Sequence, residues 1–172
     1  MVRTALSDEQ QGRFVVQRHR ATRLHYDLRL EIGDVLVSWA VPRGPTLDPR
    51  ARRLCVQVDD HELSYFAFEG VHPRGSSGAG DVIVWDWGRW RLRKSDSAAD
   101  ALRRGDLHLE LDGVKLRGRF ALLRTPRRDS PADNWLLLHA NDEHADSGWD
   151  AEQHPRSVKS GRTNDEVLRD GR

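Results

Sequence analysis

Two histidines and an aspartate carry the first chemistry in this chain. His19 is followed by His25 and Asp27 in the run Leu24-His-Tyr-Asp-Leu-Arg-Leu-Glu31. Within that run the residue types alternate: His25, Asp27, Arg29 and Glu31 share one parity, and Leu24, Tyr26, Leu28 and Leu30 share the other. Successive strand side chains point to opposite faces, so the run has one ionisable face and one apolar face. A strand does not need a row of charges in order to fold, and the row reads as a surface turned toward a ligand. With His19 upstream, His25 and Asp27 offer two nitrogens and one oxygen, a donor set that leaves coordination positions open for water and substrate. It suits Mn²⁺, Fe²⁺ or Zn²⁺, and the spacing does not choose among them.

Other candidates are weaker. His61 follows the acidic pair Asp59-Asp60 and could be a proton donor or a phosphate ligand, and Tyr65, four residues on, could donate from its hydroxyl; taken alone, each reads first as a solvated loop residue. Arg29, Arg43, Arg53 and Arg74 could clamp an anion, although most arginines of so Arg-rich a chain are plain surface charge. His72, His108, His139, His144 and His154 have no metal-like spacing. The run Gly75 to Gly80 matches neither a Walker nor a dinucleotide motif, and nothing suggests a Ser-His-Asp triad.

The elements that must position these groups are strands. Phe14 begins a first strand that runs into His19. Thr22 to Ile32 is the alternating strand, and Gly33-Asp34 turns it back as Val35 to Val41. If Ile32 lies opposite Val35, then Leu30 faces Val37, Leu28 faces Trp39 and Tyr26 faces Val41, making a solid apolar side. On the other side Arg29 looks across at Ser38 and Asp27 at Ala40. Cross-strand neighbours lie about 5 Å apart, so these small partners leave open volume above the charges. That is the floor of a pocket.

Further strands are expected at Arg52 to Asp59, with Leu54, Val56 and Val58 on one face, and at Asp81 to Asp86 and Trp90 to Arg93 around a turn at Trp87-Gly88. Ser97 to Arg104 is a helix with Ser97 as N-cap, Asp100 at the capping-box position and Gly105 as its stop. Asp106 to Leu111 and Val114 to Arg124 form a hairpin on Asp112-Gly113, and Trp135 to His139 closes the set. Many short strands with one or two short helices predict an all-β fold, an antiparallel β-barrel. The expected division is a lead over 1–12, the barrel over 13–140, and a polar, loosely packed tail over 141–172 in which Val167 and Leu168 begin a frayed helix.

Composition narrows the class. The chain has 172 residues, suiting one domain with its own core. Its formal net charge of +1 argues against a generic nucleic-acid coat and permits a local basic site. Lysine occurs only at Lys94, Lys115 and Lys159, so positive charge is almost all arginine, which suits bidentate phosphate contacts. Cys55 is the single cysteine, so no internal disulfide forms, and in Leu54-Cys55-Val56 it reads as a buried, inert thiol. Met1 to Gln11 has no apolar signal core and no stretch approaches a membrane span, so a cytoplasmic protein without a membrane partner is expected.

Several blocks, in order and at matching spacing, resemble a known family. They are Phe14-Val-Val-Gln-Arg-His19, Leu24 to Glu31, Ser38-Trp-Ala-Val-Pro-Arg-Gly-Pro45, Asp60-His61 with Tyr65, Phe68-Glu-Gly70, Gly78-Ala-Gly80 and Trp85-Asp86, with Trp135-Leu-Leu and Ser157 to Val167 further on. The chain resembles the 3'-phosphoesterase domain of bacterial ligase D, the end-joining DNA ligase, and its free-standing homologues. The resemblance implies a barrel holding a divalent metal, Mn²⁺ preferred with Co²⁺ or Zn²⁺ as substitutes, in a crescent-shaped groove. It implies trimming of DNA 3' ends in repair: removal of a 3'-terminal ribonucleoside, then of the 3'-phosphate left behind. By the same resemblance His19, His25 and Asp27 would hold the metal; Arg29, His61 and Tyr65 would be the other essential side chains; and Arg43 and Arg53 would contact the phosphate. An end-joining ligase or polymerase is the implied partner. Arg43 stands where the family has lysine, and Ser77 where its Gly-x-Tyr-Gly-Ala-Gly loop has tyrosine. Fuller family members carry an N-terminal arm that assists activity, which leaves the balance of diesterase and monoesterase activity open, with weak diesterase activity as one outcome.

Two other readings stay open. One is an Fe²⁺/2-oxoglutarate oxygenase, in which His61 or His108 joins His25 and Asp27 and His19 is idle. The other is a non-catalytic module that binds DNA ends and recruits a ligase or polymerase.

Overall fold

The computed structural model describes residues 9–76, 78–125 and 133–171; the first eight residues of the expected lead and Ser77 lie outside them. In chain order the strands and helices are β1 (Gln11–Arg20), β2 (Leu24–Ile32), β3 (Val35–Val41), β4 (Arg53–Glu62), β5 (Gly70–His72), β6 (Gly80–Arg93), α1 (Ala98–Arg104), β7 (Asp106–Gly113), β8 (Arg117–Arg124), β9 (Asn134–His139) and α2 (Asn164–Asp170). Hydrogen bonding runs β1-β2-β3-β4-β9-β8-β7-β6, and β6 returns to β1. These antiparallel strands therefore close a barrel, while β5 adds to the part of β6 that β7 does not reach. Closure leaves no bare sheet edge around the ring.

The β2–β3 register is the one the alternation predicts: Ile32 opposite Val35, Leu30 opposite Val37, Leu28 opposite Trp39, Arg29 opposite Ser38 and Asp27 opposite Ala40. Tyr26, Leu28, Leu30, Val37, Trp39 and Val41 join Phe14, Val16, Trp85, Trp90, Phe120 and Trp135 in the main core. The opposite face of β1–β3 looks outward. Part of it is roofed by the segment between β4 and β6, where Val15, Leu36, Phe66 and Val84 form a second apolar cluster with Leu63 and Tyr65 packed on it. α1 also forms as expected: Ser97 Oγ accepts from the Asp100 N–H at 3.3 Å, and Gly105 ends the helix.

Some expectations differ from the structure. β6 is one continuous strand, not two around Trp87-Gly88. Gly88 marks a close approach, because a Cβ there would sit 2.0 Å from the Asp112 carbonyl oxygen. β7 and β8 do not meet in a two-residue turn on Asp112-Gly113. They are joined through Val114, Lys115 and Leu116, whose N–H groups donate to the buried Asp86 carboxylate at 2.8–3.0 Å and so need no tight turn. Leu54, Val56 and Val58 do share a face of β4, but it is the outer one; Cys55 is the core residue there, its thiol pushed up to about 12 by burial.

The residues after Asn141 are fastened to the barrel. Ala151 and Val167 are core residues. Glu152 binds Arg18 and accepts from the Tyr26 hydroxyl. Asn164 donates to the Arg18 carbonyl and to Asp81, and Ser157 donates to Glu69 at 2.5 Å. The helix expected to fray is α2, capped by Thr163. Single polar anchors separated by irregular chain leave no periodic signal, so composition alone makes this segment look loose. Among the described residues no helix is long and apolar enough to cross a membrane.

Candidate active site

A cavity of about 380 Å³ opens on the outer face of β1–β4. Its floor is His19 from β1, and His25, Asp27 and Arg29 from β2; Val58 and His61 of β4 and Tyr65, His72 and Gly78 of the covering segment make its walls. Ser38, buried, lies across from Arg29 and Ala40 across from Asp27, the small cross-strand partners expected beside the charges.

His19, His25 and Asp27 converge, each offering a ligand atom within 4.8 Å of the others. His19 turns Nδ1 to Asp27 Oδ2 at 3.6 Å and Nε2 to the Ala79 carbonyl at 3.3 Å. His25 turns Nε2 to the same oxygen at 3.2 Å and Nδ1 to the Arg23 carbonyl at 3.3 Å. A carbonyl only accepts, so in a neutral imidazole the outer nitrogen carries the proton and the inner one a lone pair. Three acceptors then point at one another, which is stable only around a cation or protons. Anchoring the outer N–H on a carbonyl is how metal-binding histidines are held, so the donor set fits a divalent metal. Protons can take its place: the bond to Asp27 raises His25 above the ordinary imidazole value. Burial alone would raise Asp27, but its bonds to the two histidines and the Arg29 charge outweigh that and hold it far below the usual carboxylate range. The loop carrying Ala79 is locked at Gly80 (φ 128°), where a Cβ would meet the Arg20 carbonyl oxygen at 2.1 Å.

Arg29 is the second centre. It is only 4% exposed, and burial lowers its pKa against the pull of Asp27. Its Nε donates to Gln17 Oε1 at 2.7 Å, Nη2 lies 3.5 Å from Asp27, and Nη1 lies 3.2 Å from His61 Nδ1. Fully buried Gln17 also donates to the carbonyls of Tyr65 and Phe68, tying β1 to the covering segment. The Tyr65 ring lies 5.1 Å from the guanidinium, and burial raises its phenol pKa. Burial, then Arg29, lowers His61, which favours a neutral imidazole. His61 Nδ1 is also 3.0 Å from the Asp59 carbonyl; it cannot accept from Arg29 and donate there at once. The Arg29 contact leaves Nε2–H as donor, and the Asp59 contact leaves Nε2 as acceptor.

His61 reaches this face through a register shift. Leu36 pairs with His61 but Ser38 pairs with Val58, so one extra residue is held in β4. A regular strand would send residues 58 and 61 to opposite faces; the bulge returns both to one.

Of the residues singled out from the sequence, the structure brings together His19, His25, Asp27, Arg29, His61 and Tyr65. Arg43 and Arg53 are not among the described lining residues; they sit at the barrel end where β3 finishes and β4 begins, Arg43 exposed and Arg53 with a buried Nε lacking a hydrogen-bond partner. Glu31 leaves the row to bind Arg13 at 2.9 Å. His108 lies on β7 against Asp106 at 2.8 Å and is not part of the histidine–aspartate group, so the oxygenase arrangement built on it does not form. Two residues escaped the sequence. Gln17 shares its parity with His19, a usable signal. His72, whose Nε2 is 2.7 Å from the Tyr65 hydroxyl, is brought in by the short edge strand β5 and has no such signal.

Comparison with known proteins identifies the family. Residues 17–124 match the model of the DNA Ligase D 3'-phosphoesterase domain. The chain is 50% identical over 154 residues to the multifunctional non-homologous end joining protein LigD of Pseudomonas aeruginosa, a match covering 88% of this chain and 18% of that protein. It is 40% identical to the protein of the same name from Mycolicibacterium smegmatis (76% of this chain, 17% of the relative). It is 42% identical to the multifunctional non-homologous end joining DNA repair protein LigD of Mycobacterium tuberculosis (72% and 15%). The chain thus spans under a fifth of the length of these curated relatives. The matched region contains every residue that lines the cavity, and the chain belongs to the DNA Ligase D 3'-phosphoesterase domain family.

Proposed function

We propose that the protein is a metal-dependent phosphoesterase that trims the 3' ends of DNA or RNA–DNA strands for end-joining repair. The observation that carries this is the meeting of three lone-pair donors with a buried arginine in one open cavity. His19, His25 and Asp27 would hold the ion, Mn²⁺ in the preferred reading and Co²⁺ or Zn²⁺ as substitutes. When bound, it supplies positive charge that offsets the charge developing on the phosphate.

The chain's own residues do the rest. Arg29, held by Gln17 and Asp27, presents fixed positive charge from a buried position, where it is stronger than in water. Tyr65, kept protonated, donates from its hydroxyl to a phosphate oxygen. His61, as the Nε2–H tautomer, donates to a phosphate oxygen or to the departing 3'-oxygen. Hydrolysis of a 3'-phosphate forms a bond from water oxygen to phosphorus, breaks the bond from phosphorus to the 3'-oxygen, and leaves a 3'-hydroxyl. Arg43 and Arg53 would steady the strand at the barrel end. For a 3'-terminal ribonucleotide the same groups would release the nucleoside first, leaving the 3'-phosphate for the second step. The relatives are named for non-homologous end joining; an end-joining ligase or polymerase would be the partner, and the cytoplasm the place of work.

The test is turnover with Mn²⁺ on two labelled primer–templates, one ending in a 3'-phosphate and one in a single ribonucleotide, with His25→Ala as control. Loss of the phosphate by the wild type and not by the variant is the expected result. DNA binding with both ends left intact would make the barrel a recruiting module instead.

A further inference from the structure

His72 has no place in the scheme so far, yet its Nε2 lies 2.7 Å from the Tyr65 hydroxyl. One aromatic ring, Phe68, holds the pair. Tyr65 stacks on Phe68 (centroids 4.9 Å, 12° between planes), and Phe68 stacks on His72 (4.6 Å, 15°). The Tyr65 backbone is pinned separately, its carbonyl accepting from Gln17. What remains free is the rotation of the hydroxyl about the C–O bond. A phenol oxygen has one proton and two lone pairs, so a partner at hydrogen-bond distance decides where the proton points. If Nε2–H donates to the Tyr65 oxygen, the hydroxyl proton is left to face the cavity. If Nε2 accepts, that proton is occupied and Tyr65 offers the cavity only lone pairs, which repel a phosphate.

We propose that His72 is a positioning residue: as the Nε2–H tautomer it donates to the Tyr65 hydroxyl and thereby aims the phenol proton at the substrate phosphate. This rests on the reading of Tyr65 as a phosphate donor and adds the residue that makes it one. His72 also lines the cavity, but its Nε2 is engaged with the Tyr65 hydroxyl. Its contribution passes wholly through Tyr65, which separates it from a general electrostatic effect on the site.

The test is a double-mutant cycle on a 3'-phosphorylated primer–template with Mn²⁺, using His72→Phe, His72→Gln, Tyr65→Phe and the pair His72→Phe/Tyr65→Phe. Phenylalanine keeps the stack on Phe68 and removes the hydrogen bond; glutamine restores a donor. His72→Phe should lower kcat about 10-fold with KM within about 2-fold, the scale of one lost hydrogen bond. His72→Gln should recover to within about 3-fold of wild type, and in the Tyr65→Phe background His72→Phe should cost nothing more. Thermal melts of the variants separate a folding defect from these effects. Additive losses, a glutamine no better than phenylalanine, or a change in KM alone would overturn the inference while leaving the phosphoesterase intact. A wild type that leaves the 3'-phosphate in place would sink the reading of the site, and this inference with it.

Discussion

Two outer faces of the same barrel carry alternating charge, and they differ in what covers them. On β6–β8, Arg89, Asp112 and Arg117 lie in one cross-strand row, and Arg91, Glu110 and Arg119 in the next. These arginines are exposed, and the nearby Arg93–Glu110 pair, 3.6 Å apart, leaves its side chains 42% and 40% accessible. Charges so placed are solvated and screened and contribute little. On β1–β3 the same strand periodicity yields Gln17, Asp27, Arg29 and Ser38, all buried beneath the segment between β4 and β6. Burial without pairing would be prohibitive, so every one of these groups has a partner. Alternation therefore does not mark a site by itself. A polar face becomes reactive when another part of the chain roofs it and keeps water sparse.

The largest effect should come from the metal group. His25→Ala or Asp27→Ala should lower phosphate release at least about 100-fold, whereas Arg91→Ala or Glu110→Ala should stay within about 2-fold of wild type. A comparable loss from the far face, measured on the same 3'-phosphorylated oligonucleotide, would erase the contrast. Next is stabilisation by the ion. Mn²⁺ at a hundred times its dissociation constant should add about 2.7 kcal/mol and raise Tm by about 5 °C in the wild type. Asp27→Ala should show no shift in the same melt, and an unchanged shift would place the ion elsewhere.

A smaller effect tests the roof. Gln17→Leu leaves Arg29 Nε and two carbonyls without their partner. It should cost about 1–3 kcal/mol of stability in urea and about 10-fold in turnover, against under about 0.5 kcal/mol for Glu110→Gln. Equal costs would mean that burial of the polar face is incidental.

A pH-dependent effect lies away from the site, where Lys115 donates to the carbonyls of His154 and Arg156 and burial pushes its pKa down to about 8 from 10.5. Between those two values the unfolded chain binds more protons than the folded one, so stability should rise as pH rises through that window. Lys115→Met should flatten that rise in urea unfolding followed across the same range. If wild type and variant have the same slope, the ammonium is better solvated than its burial implies.

The contrast explains what was legible in the sequence. The β2–β3 register could be read because one face is solidly apolar, and a one-residue slip would have exposed it. The meeting of His19, His25 and Asp27 could be read because imidazole and carboxylate have no structural use in such a row. Capping gave α1 through Ser97 and Gly105, and the family motifs supplied His61 and Tyr65. The roof could not be read: its irregular chain follows Gln17 and Phe68 contacts that have no period. His72 was dismissed on spacing, since metal-like spacing does not detect a partner for a phenol. The polar segment after Asn141 looked loose because each of its anchors, such as Glu152 and Asn164, is a single residue. Trp87-Gly88 read as a turn because glycine serves close strand approach and chain reversal alike.

The bulge in β4 means that the site's inventory depends on counting as well as on chemistry. Side chains flip with every residue of a strand, and the one surplus residue between Val58 and His61 acts as a shim that sets which way everything after it faces. An insertion or deletion here would retune the wall without altering His19, His25 or Asp27. The barrel would absorb the change at its rim, where Asp59 and Asp60 are exposed, and the core would not register it. Descent by gain or loss of single residues thus has a direct route to the donor beside Arg29. Chain length at this point is a tuning variable, with His61 as its readout.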